Sequence, residues 1–307
     1  MSENRRVLLV AHTRRDEALD ATVEAVSTLV ARGIQPIMTS AEKAEVDAYA
    51  QKRAVALPTI GILGVDAHVW DVEIAVVLGG DGTILKAAEI VREANIPLLG
   101  INLGHVGFLA ESERDGLNEA VERIVNKDYS VIERMTLEVS VVVGGAVAFR
   151  TWALNEATVE KSAAEKMIEV VIEVDQRPLT SFGCDGVVLS TPTGSTAYAF
   201  SAGGPVVWPS VEALLLVPLN AHALFSRPLV VGPNSMLAVE VLQRSSGHGE
   251  LWCDGRRTQP LPPGARVEIK QSEHPVRLAR FREGAFTDRL VGKFALPVTG
   301  WRGPDKK

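Results

Sequence analysis

The sequence predicts an α/β class protein: an N-terminal α/β domain on a parallel sheet, then a β-rich, β-sandwich-like domain. Three observations carry this. Val7–Val10 and Ile74–Leu78 are apolar runs without polar alternation, as expected of strands buried on both faces of a parallel sheet. Between them, Leu19, Val23, Val26 and Leu29 recur at helical spacing and Gly33 follows, giving a β-α-β order. From Leu137 onward helical periods vanish, and short alternating strands are separated by turn residues.

Taken in order, Val7–Val10 is a first strand ending in the turn His12–Asp16. A helix over Asp16–Arg32 leads to a strand at Ile34–Met38 and a helix over Ala41–Gln51, while Ala54–Asp71 shows no period. The central strand Ile74–Leu78 runs into a helix with Ile84, Ala87, Ala88 and Val91 on one face, stopped at Asn95–Pro97. Leu98–Ile101 is the next strand. Asp115–Val125 reads as an amphipathic helix bridging two domains. Leu137–Val143, Gly144–Gly145 and Val147–Thr151 form a hairpin, and strands recur from Glu169–Val174 to Val276–Phe281.

The chain of 307 residues is long enough for two domains, and 46% hydrophobic with 23% charged residues is ordinary for a soluble protein. A net charge of −6 disfavours nucleic acid or an anionic membrane as partner, so any field attracting an anion must be local. The two cysteines, Cys184 and Cys253, form neither a disulfide framework nor a zinc pattern. Cys184 beside Asp185 reads as a reactive thiol or as a small buried apolar residue. The apolar run after Met1–Arg6 is too short for a signal peptide, and no stretch is long enough to span a membrane. The expectation is a reduced, cytoplasmic protein.

Gly79-Gly80-Asp81-Gly82-Thr83, followed by Lys86, lies between strand and helix, where open α/β sheets bind ligands. Its glycines bare the backbone, and the helix N-terminus suits phosphate, so Gly79, Gly80, Gly82 and Thr83 read as a phosphate-donor loop. Asp81 is the odd member. A carboxylate among phosphates implies a divalent metal, a hydroxyl whose proton it takes, or only a helix cap. The spacing is neither a Walker A loop nor a dinucleotide fingerprint. His12, Arg14, Arg15 and Phe108 stand at strand ends, as ligand contacts or as ordinary turn and packing residues. Asn155-Glu156 reads as a strand-end turn or a nucleoside contact, since an amide can pair with an adenine edge and a carboxylate with ribose hydroxyls. The run from Cys184 to Tyr198, continuing through Ser201 to Pro205, is rich in small hydroxyl residues and glycine, as in a functional loop.

These motifs together resemble those of bacterial NAD kinases, over most of the chain from Val7 to about Arg302. The first motif alone is shared with diacylglycerol-type lipid kinases. The resemblance implies transfer of a phosphoryl group from ATP or inorganic polyphosphate, with Mg2+ or Mn2+, to the adenosine 2′-hydroxyl of NAD. It implies Asp81 as catalytic carboxylate. It implies NAD contacts from Asp81, Gly82, Lys86, Asn155, Glu156, Lys166, Asp185, Thr196, Ala197, Tyr198, Ala199, Phe200 and Ser201; no residue is assigned as a metal ligand. Its domains are 1–113, joined by a returning segment 282–307, and 114–281. It implies a homo-oligomer, dimer or tetramer, with Val217–His222 near a neighbouring subunit's adenosine site. Arg256 stands where some members have glutamine, and Gly183-Cys184 where some have a basic residue, so those contacts are not expected. The competing readings are a lipid kinase sharing only the Asp81 loop and an NAD-sensing module without catalysis.

Overall fold

The computed structural model describes residues 5–103, 107–110, 112–113, 116–162, 167–281 and 285–298. They form two compact units, Met1–Glu133 with Val276–Lys307, and Arg134–Pro275.

The first unit begins with β1 (Arg6–Ala11), α1 (Asp16–Ala31), β2 (Gln35–Met38), α2 (Ser40–Lys52) and β3 (Gly61–Ile62). It continues with β4 (Ile74–Leu78), α3 (Asp81–Val91), β5 (Leu98–Asn102), β6 (Ser112–Glu113), α4 (Leu117–Val125) and β7 (Ser130–Arg134). Helix α1 forms because its apolar positions share one face, burying Ala18, Leu19, Ala25, Val26 and Leu29, while Asp16 and Glu17 favour its N-terminus. Gly33, at φ +73°, ends it: the Gly33 and Ile34 amides donate to Val30 and Leu29 carbonyls. Strands β4 and β5 are buried along their whole length.

The second unit contains β8 (Leu137–Val143), β9 (Ala146–Ala153), β10 (Glu156–Lys161), β11 (Ile168–Val174), β12 (Arg177–Cys184) and β13 (Gly186–Ser190). After the short helix α5 (Tyr198–Ser201) come β14 (Leu214–Leu219), β15 (Leu229–Val231), β16 (Leu237–Val241), β17 (Gly249–Cys253), β18 (Arg257–Leu261) and β19 (Arg266–Gln271). Two six-stranded sheets result, ordered β15-β14-β13-β10-β17-β18 and β12-β11-β16-β19-β8-β9. Alternation builds their common core: Leu137, Val139 and Val141 of β8 face in, with Ala157 and Val159 of β10 and Leu237, Val239 and Val241 of β16.

The chain then returns to the first unit as β20 (Val276–Arg280) and α6 (Phe286–Phe294). The first sheet runs β3-β2-β1-β4-β5-β20-β7, with β6 against β5. Its order reverses between β1 and β4, whose carboxyl ends carry His12 and the Gly79–Thr83 loop. This crevice is where doubly wound sheets take ligands.

Three expectations differ from what is observed. The strand at Val276–Phe281 does not belong to the β-rich unit; β20 lies parallel to β5, with Leu278 opposite Leu98 and Ala279 in the first core. The helix expected as a bridge from residue 114 packs within the first unit. It buries Leu117, Ala120, Val121 and Ile124, and Arg5 caps its last carbonyls at Ile124 and Val125. The observed boundaries therefore fall at 133/134 and 275/276 rather than 113/114 and 281/282. Among the described residues no helix is long and apolar enough to cross a membrane.

Candidate active site

Gly79 ends β4 with its amide on the Ile101 carbonyl, at 3.1 Å. A Cβ at Gly79 would stand 2.5 Å from Thr83 Oγ1, so only glycine lets α3 turn back this tightly. Gly80 and Gly82 differ: a Cβ at either would meet nothing within 4 Å. Packing does not demand glycine there, and the space beside both, at the start of α3, is open.

Asp81 is the first residue of α3, and the cap position is Gly80, which makes no side-chain cap. Its carboxylate does not cap the helix. Oδ2 accepts from the Phe108 amide at 3.1 Å and Oδ1 from the Leu109 amide at 3.2 Å. Each oxygen keeps acceptor capacity for another partner. Lys86 is paired: its ammonium lies 2.8 Å from Oε1 of Glu42, a side chain that is 2% exposed. Thr39 is the N-cap of α2: its Oγ1 accepts from the Glu42 amide, and its hydroxyl donates to the Glu42 carboxylate at 2.7 Å. Sequence reading missed this partner, although Thr39-x-x-Glu42 is a recognisable capping signature. His12 sits against Gly79, its Nδ1 buried without a partner among the described residues. Phe108 is buried against Phe286 and Phe294, so its ring packs on α6.

In the second unit the hydroxyl-rich run is three short elements rather than one open loop: β13, a 3-10 turn at Gly194–Thr196, and α5. Its buried hydroxyls are spent internally. Ser190 Oγ donates to the Asn155 carbonyl at 3.0 Å and Thr191 Oγ1 to the Leu154 carbonyl at 2.6 Å. Ser195 Oγ donates to Pro192 and accepts from the Val207 amide. A Cβ at Gly194 would stand 2.0 Å from the Asn155 carbonyl oxygen, so the turn closes only over glycine.

Asp254 holds the same strand end from the other side. Its carboxylate accepts from the amides of Leu154 at 2.9 Å and Asn155 at 2.7 Å and pairs with Arg257 at 2.7 Å. The Arg257 guanidinium in turn covers the Trp152 ring at 4.4 Å. Asp254-Gly255 forms a turn, at φ +52° and +63°, and the carboxylate's reach across to Leu154 has no local signal in the sequence.

Glu156, Thr158 and Glu160 lie on the outer face of β10 and, with Tyr198, Trp252 and Gly255, line a cleft of about 280 Å³. Oε2 of Glu156 is buried with no hydrogen-bond partner among the described residues. Burial, then the charge of Asp254, pushes the Glu156 carboxyl up to about 8, against the Tyr198 amide, which pulls it down. Tyr198 is exposed at the cleft's side and Phe200 is exposed beyond the residues that line it, whereas Ala199 is fully buried against Val188 and Val217.

Asp185 stands at the other end of the β10–β13 pair, bound to Lys161 at 2.8 Å and Asn220 at 2.7 Å. Those partners hold its carboxyl below the usual range, Lys161 foremost. Lys161 lies five steps along β10 from Glu156, about 16 Å of strand. Cys184 and Cys253 are core residues whose burial raises both thiols to about 12, so neither is a reactive thiolate. Lys166 lies outside the described residues.

The ATP-NAD kinase N-terminal domain profile matches residues 7–129, and the ATP-NAD kinase C-terminal domain profile residues 154–281. The chain is 60% identical over 305 residues to an NAD kinase of Leifsonia xyli, covering 99% of both chains. It is 55% identical to NAD kinase 2 of Streptomyces coelicolor, again over 99% of each. A crystal structure of yeast NADH kinase complexed with NADH has the same fold, with a TM-score of 0.80 at 22% identity, covering all of this chain and 90% of that one. An NAD kinase from Archaeoglobus fulgidus, solved with ATP, gives 0.65 at 24% identity, covering 95% of this chain and 98% of that one. Profiles matching both halves, and relatives more than half identical along nearly its whole length, show that the chain belongs to the ATP-NAD kinase family.

Proposed function

We propose that Asp81 activates the acceptor hydroxyl in the reaction of this family, transfer of a phosphoryl group to NAD to form NADP. The chain is an NAD kinase, and neither the lipid-kinase nor the sensing-module reading has support. The observation that carries the role of Asp81 is its placement. It opens α3 at the strand-order reversal, anchored by two backbone amides on one side and beside the open space at Gly80 and Gly82 on the other. The 2′-oxygen of the adenosine ribose attacks the terminal phosphorus of the donor, the bond to the leaving phosphate breaks, and the hydroxyl proton passes to Asp81. The donor, ATP or polyphosphate, lies along the Gly79–Thr83 loop, where bare backbone and helix amides receive phosphate oxygens.

Asn155 and Glu156, with the segment Thr196–Ser201, take the adenosine. The orphaned Oε2 of Glu156 supports this, because a ribose hydroxyl at that oxygen satisfies an otherwise costly buried group. Asp185, a strand's length from Glu156 and flanked by Asn220, serves the site of a neighbouring copy. The working enzyme is then a homo-oligomer. Among the described residues no group of three or more His, Cys, Asp or Glu side chains could hold a metal ion. Mg2+ or Mn2+ would arrive on the donor's phosphates, an arrangement that asks the protein for one or two carboxylates.

The test of the reaction is incubation with NAD, a divalent ion and either ATP or polyphosphate, read by an NADP-specific dehydrogenase. NADP is expected with at least one donor; a phosphorylated lipid with NAD unchanged contradicts the reading. Sedimentation under assay conditions checks the assembly, which a fully active monomer would overturn.

A further inference from the structure

The Gly107–Ala110 loop is held from two sides within the first unit. On one side Asp81 accepts its Phe108 and Leu109 amides. A Cβ at Gly107 would stand 2.5 Å from Asp81 Oδ1, so the loop lies directly on the carboxylate. On the other side Arg289, from α6, donates from Nη1 to the Phe108 carbonyl at 2.8 Å and the Ala110 carbonyl at 2.7 Å. Arg280 of β20 adds a longer contact to Ala110 at 3.4 Å. The Phe108 ring is gripped by Phe286 and Phe294, with centroids at 5.9 and 6.0 Å. Phe286, Leu290 and Phe294 recur at four-residue spacing, so one face of α6 presents the grip and Arg289 borders it.

The carbonyl of Phe108 and the amide of Leu109 belong to one peptide group. Arg289 donates to its oxygen while its N–H donates to Asp81 Oδ1. A cation at the oxygen draws electron density from the nitrogen, which strengthens the N–H as a donor. We propose that Arg289 is a positioning residue for the phosphoryl transfer: through the single peptide group Phe108–Leu109 it fixes where Asp81 points and how firmly it is held. The role rests on the reading of Asp81 as the base. It makes the chain's last described helix part of the catalytic geometry without touching substrate.

The test is a double-mutant cycle of Arg289→Gln and Asp81→Asn in the full-length enzyme, with Arg289→Lys as the conservative variant. Arg289→Gln is expected to lower kcat roughly ten- to hundredfold, because small misplacement of a catalytic group is costly. The KM for NAD should stay within about threefold, and Arg289→Lys, which keeps the charge and several donors, should recover most of the loss. In the Asp81→Asn background Arg289→Gln should cost nothing further. A second readout is hydrogen exchange: the Phe108 and Leu109 amides should exchange faster in Arg289→Gln, with the β4 and β5 amides unchanged. A loss of equal size in both backgrounds, or unchanged exchange at those amides, overturns the inference while leaving Asp81 as base. Normal turnover in Asp81→Asn overturns the base assignment and the inference with it.

Discussion

The Asp81 loop and the Asn155–Glu156 corner solve opposite problems with the same residue types. At the first, glycine opens space: Gly80 and Gly82 face nothing, and Asp81 is held from behind by backbone amides. At the second, glycine closes space. Gly194 lets a turn press on the Asn155 carbonyl, and Ser190, Thr191 and Ser195 spend their hydroxyls on neighbouring main chain. Among the described residues, the second region leaves a buried carboxylate oxygen of Glu156 without a partner. A run of hydroxyl residues is therefore not by itself a row of ligand donors. The groups left for a ligand are the few that the fold does not satisfy.

That contrast can be broken at Glu156. A carboxyl whose folded pKa lies above its unfolded value keeps its proton in the folded chain after the unfolded chain has lost it. Stability should then fall as pH rises from about 4.5 to about 8 and level off above, so thermal unfolding should show a declining Tm over that window. Glu156→Gln should flatten the decline; an unchanged pH profile in that variant contradicts the burial argument. Next in size is Gly194→Ala, whose methyl overlaps the Asn155 carbonyl and should cost roughly 1–3 kcal/mol in denaturant unfolding. Wild-type stability there would mean that the corner yields easily. Asn155→Ala should weaken NAD binding by roughly 1–3 kcal/mol in calorimetry, for loss of an amide paired in the complex. Unchanged affinity leaves Asn155 only its strand-end role. The smallest effect belongs to the open loop: Gly82→Ala in the α3 first turn should leave unfolding unchanged or stabilise it by up to about 1 kcal/mol. The same variant should raise the KM for the phosphoryl donor, and an unaltered KM would argue against phosphate over Gly82.

Local signals carried the Asp81 loop, the first β-α-β unit and the Gly144–Gly145 hairpin, because each is written in contiguous residues. Strand β12 escaped because its turn is Asp175–Gln176, both at positive φ, instead of a glycine pair. Strand β20 was visible as a strand, but alternation does not say which sheet it joins. The partners of the site were the least legible. Glu42 reaches Lys86 across 44 residues, Asp254 reaches Asn155 across 99, and Arg289 reaches Phe108 across 181. Contacts of that range depend on tertiary packing, and spacing along the chain does not encode them.

The most direct measurement is turnover and NAD affinity on one Asp81→Asn protein, at saturating NAD and donor. Asparagine keeps the size of the side chain and one acceptor oxygen for the Phe108–Leu109 amides, while it removes the base. The account predicts kcat lower by roughly 10²–10⁴ with NAD affinity largely intact. Near-normal turnover would contradict it and leave the Gly79–Thr83 loop as a phosphate cradle alone.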